Sequence, residues 1–335
     1  MVYSDCQPGT LQAAYLYAIM GYRIRIFMLA SVLIGSNLTL YAQNDDRNVQ
    51  QAVVESGRYW LDVDYYGDGK IGHRLDIHLP VNGRGPFPVV ICIYGSAFFS
   101  NPSKAAIFRQ GLGQVLLKNG FAVISINHRA STDSVFPAQI QDVKTAIRFV
   151  RTFGKLYDLK TEHMGITGYS SGGHLSALAG TTSGQSSATY DGITIDLAGK
   201  CPKYAAASDA VQAVVDWFGP TDFLIMDSCG SQMNHNDAKS PESTLVGGAI
   251  EQHKTLARLA DPACYVRTGN PPFLIFHGGK DPLVPFCQSE HLYAALKEKG
   301  VPARFVPVPG GGHGPGVMID KYYAEMISFF RQYIQ

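Results

Sequence analysis

From about residue 58 onward, short apolar runs alternate with amphipathic ones, and this rhythm restricts the folds open to the chain more than any other feature. "GRYWLDVDYY" and "HRLDIHLP" flank the turn signal "GDGK" and predict an opening hairpin. Asp62, Asp64 and Asp68 lie close together there, but Leu75 falls where a calcium loop needs its bidentate Glu, so a solvated turn is expected. "FPVVICIYG" is continuously apolar and β-branched, as a strand buried on both faces must be. A helical stretch near 104–119 leads to "GFAVISINHR" as strand, "AQIQDVKTAIRFVRTF" as helix and "HMGITG" as strand. "VQAVVDWFG", "PPFLIFHG" and "ARFVPVPG" continue the strands, and "SEHLYAALKEKG" and "DKYYAEMISFFRQY" the helices. Such alternation predicts an α/β fold: a mostly parallel central sheet with helices on both faces. With no internal repeat or linker, it predicts one domain over residues 50–335. Residues 181–210 and 220–262 fall outside the rhythm, and long irregular insertions of this kind tend to shape a site.

The 335 residues are 46% hydrophobic, ample for a buried core, and carry a net charge of +1 with both signs interspersed. No basic stripe points to nucleic acid; a small or neutral substrate fits better. The segment "MGYRIRIFMLASVLIGSNLTLYAQ" runs from Arg23 and Arg25 through a short apolar stretch to Tyr41-Ala42-Gln43, the pattern of a secretory signal cleaved after Ala42. Residues 1–42 therefore read as an N-terminal extension and signal peptide of an exported, periplasmic or extracellular protein. The run from Ile26 to Leu40 falls short of the roughly 20 residues of a membrane span; an anchor that is never removed is the alternative. Cleavage leaves five cysteines. Cys92 reads as a core residue, while Cys201 and Cys229 lie in polar, loop-like stretches and suggest a disulfide. No Cys/His spacing suits zinc, and no metal or organic cofactor is expected.

Gly168-Tyr169-Ser170-Ser171-Gly172 fits G-x-S-x-G, with a strand-like run before it and a helix-like run after. That is the setting of a nucleophile elbow, in which a sharp turn strains the serine and flanking glycines let backbone approach. The alternative is a turn that merely caps a helix through Ser170 or Ser171. A serine hydroxyl needs a base and an orienting carboxylate to become a nucleophile. "FLIFHGGKDPLVP" places Asp281 just past one strand, and "FVPVPGGGHGPG" places His313 just past the next. Each sits at the C-terminal edge of a predicted parallel strand, where open α/β sheets assemble their sites, and the order Ser, Asp, His is that of α/β-hydrolases. His174 and His277 are read as structural, and His235, His253 and His291 as surface residues without a function. An oxyanion hole is expected from the amides of Ser171 and of Ser96 and Ala97, in the loop that follows "PVVICI". Tyr94, Phe98, Trp217 and Phe218 are candidate substrate contacts; for Trp217, core packing is an equal reading.

The wording of "FPAQIQDVKTAIRFVR", "GYSSGGHLSALAGTT", "VQAVVDWFGPTDF", "SPESTLVGG", "PPFLIFHGGKDPLVPFCQSEHLYAAL" and "VPGGGHG" resembles the bifunctional acetylxylan esterase/feruloyl esterase (BD-FAE) group of α/β-hydrolases, over residues 60 to 335. The resemblance implies Ser170 as nucleophile, Asp281 as acid, His313 as base, and an oxyanion loop at Tyr94 to Ala97 with Ser171. The group's usual His-Gly-Gly-Ala-Trp reads Tyr-Gly-Ser-Ala-Phe here, and Ser171 stands where Ala is commoner. The implied substrates are short acyl or feruloyl esters of plant polysaccharide. A prolyl-peptidase-like hydrolase and a non-catalytic carbohydrate-binding protein are the rival readings. The first usually needs an N-terminal propeller, for which about 50 residues leave no room.

Overall fold

Continuous apolar runs such as Phe87–Ile93 become inner strands of one eight-stranded sheet, because only a sheet covered on both faces can bury every side chain of the run. The computed structural model describes residues 56–109 and 111–335, so the expected signal peptide, residues 1–42, lies outside the described residues. The strands are β1 (Tyr59–Asp64), β2 (Arg74–His78), β3 (Phe87–Ile93), β4 (Ala122–Ile126), β5 (Leu159–Tyr169), β6 (Ser187–Tyr190), β7 (Ile193–Asp196), β8 (Ala213–Trp217), β9 (Phe273–Gly278) and β10 (Ala303–Val308). The large sheet has the order β1-β2-β4-β3-β5-β8-β9-β10, and β6 and β7 form a separate hairpin. In the large sheet β1 pairs antiparallel with β2, and β2 with β4, and the remaining pairs of that sheet are parallel. The predicted opening hairpin is present. Its turn is closed by the Asp64 carboxylate, which accepts from the amides of Tyr66, Gly67 and Gly69.

Strand alternation sorts the apolar residues into two cores. Val89, Ile91 and Ile93 face one core, which is covered by α2 (Ala138–Phe153), α3 (Ser171–Thr181) and α6 (Cys287–Glu298). Val90, Cys92 and Tyr94 face the other, covered by α1 (Leu112–Lys118) and α7 (Asp320–Ile334). Two further helices, α4 (Pro241–Val246) and α5 (Lys254–Ala260), belong to the second insertion. Among the described residues no helix is long and apolar enough to cross a membrane.

Register brings the strand ends level. Ile93 pairs with Gly168, Tyr169 with Trp217, Trp217 with Phe276, and Gly278 with Val308. The loops leaving β3, β5, β8, β9 and β10 therefore open along one edge, and every triad candidate lies on them.

The cysteines correct the expectation. Cys229 is bonded to Cys287, at the start of α6, with a Cα separation of 6.2 Å, and not to Cys201. Cys201 is a buried free thiol in the first core, packed there beside Tyr204, so its loop-like sequence context concealed a core position. Cys92 is buried as expected.

Candidate active site

The G-x-S-x-G stretch is a strand-to-helix corner. β5 ends at Tyr169, α3 begins at Ser171, and Ser170 between them holds φ 55° and ψ −126°. Such backbone in a non-glycine residue costs on the order of 1–3 kcal/mol and persists only where its surroundings impose it. Here the Ser170 amide donates to the Trp217 carbonyl at 2.9 Å, and the Ser170 carbonyl accepts from the His174 amide at 3.1 Å. The glycines are steric requirements. A Cβ on Gly168 would lie 2.3 Å from the Gly172 carbonyl oxygen, and one on Gly172 would lie 2.2 Å from that of Ile93.

Asp281 and His313 meet beside this corner. His313 Nδ1 is 2.7 Å from Asp281 Oδ2, and the other carboxylate oxygen accepts from the amides of Leu283 at 2.8 Å and Val284 at 2.9 Å. Burial opposes ionisation of Asp281, but the nearby His277 ring, the His313 hydrogen bond and the Val284 amide outweigh it and hold its pKa well below the usual carboxylate range. An ionised Asp281 can only accept, so Nδ1 of His313 carries a proton and Nε2 is the nitrogen left for other chemistry. The Phe218 ring, at φ 44° and with its centroid 4.7 Å from that of His313, packs against the imidazole. His277 is structural as expected: Nδ1 meets Ser289 Oγ at 2.7 Å and Nε2 the Val284 carbonyl at 3.0 Å. His174 bonds the Pro220 carbonyl through Nδ1, and burial pushes its pKa down to about 4.

The loop after β3 turns through left-handed backbone at Ala97 (φ 51°) and Phe98 (φ 64°). One expected oxyanion donor is already engaged. The Ser96 amide donates to Ser171 Oγ at 2.9 Å and has no free proton for an oxyanion. The Ala97 amide remains, together with the Ser171 amide, which opens α3 where the first amides have no partner inside a helix.

Ser170 and His313 share a cavity of about 130 Å³ with Ala97, Phe98 and Ser171. Pro220, Met233, Pro241, Leu283 and Val284 supply most of its remaining wall. Of the two insertions, 220–262 shapes the site; 181–210 instead forms the β6–β7 hairpin and contributes nothing to the cavity. Three of the four expected substrate contacts, Tyr94, Trp217 and Phe218, lie outside the cavity wall; Phe218 is buried in the second core against the His313 ring, and only Phe98 lines the cavity. Tyr94 is fully buried, stacks on His128, and donates its hydroxyl to the Ser100 carbonyl at 2.5 Å. Trp217 is fully buried, stacks on Phe276 and donates to Thr167 Oγ1 at 3.2 Å. Strand alternation explains both, since Tyr94 follows Val90 and Cys92 into the second core and Trp217 follows Val215. His235, read from sequence as a surface residue, is buried and lines the cavity beside Glu242. A larger groove of about 610 Å³, between β10 and α7 at the sheet's outer edge, contains none of the triad candidates.

Asp222, Asp261 and His291 bring ligand atoms within 4.8 Å of one another. Arg258 already occupies this cluster, with its guanidinium 3.0 Å from Asp222 and 3.5 Å from Asp261, so the protein's own cation pairs with both carboxylates.

A family model for BD-FAE matches residues 75–296. A solved structure of a truncated carbohydrate esterase from gut microbiota is 43% identical with a TM-score of 0.79, over 83% of this chain and 96% of that one. Among curated relatives, esterase LipQ of Mycobacterium tuberculosis is 29% identical over 79% of this chain, and an acetylxylan esterase of Xylanibacter ruminicola 26% identical over 78%. The chain spans 60% of the length of the first and 47% of the second.

Proposed function

We propose that this chain, which belongs to the BD-FAE family of α/β-hydrolases, is an exported serine carboxylesterase that removes short acyl groups from hydroxylated, polysaccharide-derived alcohols. The observation that carries the reading is a cavity shared by a strained serine and a histidine whose far nitrogen is held by a buried, ionised aspartate. His313 Nε2 takes the Ser170 proton as Oγ attacks the ester carbonyl, and Asp281 keeps the imidazole in the required tautomer and stabilises its charge. The amides of Ala97 and Ser171 receive the negative charge on the former carbonyl oxygen. Collapse breaks the bond to the alcohol, which leaves with the proton from His313, and water repeats the cycle on the acyl-enzyme. The chain's own residues supply every step.

A cavity of about 130 Å³ with mostly apolar walls favours an acetyl group over the long aromatic feruloyl group. The names of relatives, a carbohydrate esterase and an acetylxylan esterase, support a sugar-borne ester. Export is supported by the N-terminal pattern of residues 20–43 and by the Cys229–Cys287 bond, which belongs to an oxidising compartment. The test is release of acetate from acetylated xylan against release of ferulate from methyl ferulate. Acetate release with little ferulate supports the reading, and the reverse ranking refutes the short-acyl assignment.

A further inference from the structure

One corner of the cavity is polar, and the ester chemistry above does not use it. His235 and Glu242 are 2% and 4% exposed, with His235 Nδ1 2.9 Å from Glu242 Oε2, and both line the cavity that holds Ser170 and His313. Buried polar atoms are hydrogen-bonded as a rule. His235 Nε2 has no partner of good hydrogen-bond geometry; the Leu283 carbonyl acts on the ring as a weak backbone acceptor and favours its charged form.

The pair is braced from behind. Asp227 accepts from the amides of His235 at 2.8 Å and Asn236 at 3.0 Å, and Ser240 Oγ donates to the His235 carbonyl at 2.7 Å while accepting from the Ser243 amide at 3.0 Å. The Cys229–Cys287 bond ties the same segment to the start of α6. Bracing of this kind fixes the orientation of a side chain, as recognition requires.

We propose that His235 and Glu242 form a receptor for a substrate hydroxyl beside the scissile ester, selecting esters of hydroxylated molecules over plain alkyl esters. The inference rests on the esterase reading above. A hydroxyl both accepts and donates, so it can take the Nε2 proton's hydrogen bond and give its own to the Glu242 carboxylate or the Leu283 carbonyl. An alkyl group in its place leaves Nε2 buried and unpaired. Burial opposes a charge on His235, but the hydrogen bond and negative charge of Glu242 raise its pKa above the ordinary histidine value, so the ring keeps its second proton, on Nε2, to higher pH than a free histidine does. The hydroxyl can belong to the alcohol or to the acyl part, since the same groups recognise either.

Two ester pairs, each exchanging a hydroxyl for a methyl, separate these sources: 2-hydroxyethyl acetate against propyl acetate, and methyl lactate against methyl isobutyrate. We expect kcat/KM of the wild-type chain, divided by the alkaline hydrolysis rate of each ester, to favour the hydroxylated member of one pair by about tenfold or more. The favoured pair identifies which part carries the hydroxyl. His235→Phe abolishes the preference, and Glu242→Gln, which still accepts from Nδ1, retains part of it. Turnover without preference in either pair overturns the proposal and leaves the esterase reading intact, and so does a preference that survives His235→Phe. No turnover of any of the four esters overturns both. The wild-type comparison decides without a variant, should His235→Phe fail to fold.

Discussion

The Ser96 amide donates to the Ser171 hydroxyl at 2.9 Å, which links the two serines that distinguish this chain's oxyanion region from the usual wording of its family. The hydroxyl after the nucleophile holds the loop that supplies the Ala97 amide. Ser171→Ala removes that hold and leaves the Ser96 amide without its acceptor. The expected outcome on p-nitrophenyl acetate is a fall in kcat of roughly tenfold with little change in KM. An unchanged kcat contradicts a role for this hydrogen bond.

Gly172 has no room for a side chain, since its Cβ would meet the Ile93 carbonyl oxygen at 2.2 Å and the Tyr94 carbonyl oxygen at 2.6 Å. Both are backbone atoms of β3 or its continuation and cannot swing aside. Gly172→Ala is expected to destabilise the protein by about 3 kcal/mol or more and to lower Tm accordingly. A Tm within a degree or two of wild type argues that β3 and α3 are not packed as described.

The Cys229–Cys287 bond closes a sequence separation of 58 residues, for which chain entropy assigns about 4 kcal/mol of stabilisation. It also fastens the segment that carries Met233 and His235 to the α6 end of the Asp281 loop. The double variant Cys229→Ser/Cys287→Ser is expected to unfold at lower temperature, and its hydrolytic preference among esters is expected to weaken more than its turnover of p-nitrophenyl acetate. Mass spectrometry of the unreduced protein, digested and searched for the Cys229–Cys287 link, checks the bond directly. A Cys201–Cys229 link contradicts it.

His174 gives a pH dependence of defined sign. Burial holds its folded-state pKa near 4, below the ordinary histidine value. The unfolded chain therefore takes up the proton first, and the stability owed to neutral His174 is present above about pH 6.5 and lost as pH falls toward 4. His78 acts in the same direction, while Asp76 and Asp216, pushed up to about 6 by burial, act in the opposite one. A variant isolates the one contribution: the stability gap between wild type and His174→Gln is expected to narrow by roughly 2 kcal/mol between pH 7.5 and 4.5. Denaturant melts at the two pH values measure it, and a gap that stays constant or widens contradicts the assignment.

Much of the architecture was legible because local chemistry carried it. A run such as Phe87–Ile93 has a single way to be buried, and the glycines around Ser170 answer to contacts with the backbone of the neighbouring strand β3. Asp281 and His313 were reachable for a related reason, since each follows a strand whose end is visible in the sequence. Tyr94 was misplaced, and Trp217 was left open between pocket and core, although the signal was present: two-residue alternation along their own strands sends both into the second core. His235 and Glu242 carried no comparable signal. Their burial depends on a loop folding back between Asp227 and Cys287, and nothing in the polar run "NHNDAKSPE" reveals that partner. The disulfide was hidden likewise, because cysteine connectivity follows from which loops meet in space and not from spacing.

The central claim is that Ser170 forms an acyl-enzyme with His313 as its base. The most direct measurement treats the full chain and Ser170→Ala with a fluorophosphonate, maps any adduct by mass spectrometry, and follows p-nitrophenyl acetate hydrolysis in parallel. The account predicts a single adduct on Ser170, loss of turnover upon labelling, and neither labelling nor turnover in the variant. Turnover that persists in Ser170→Ala, or an adduct on another residue, contradicts it.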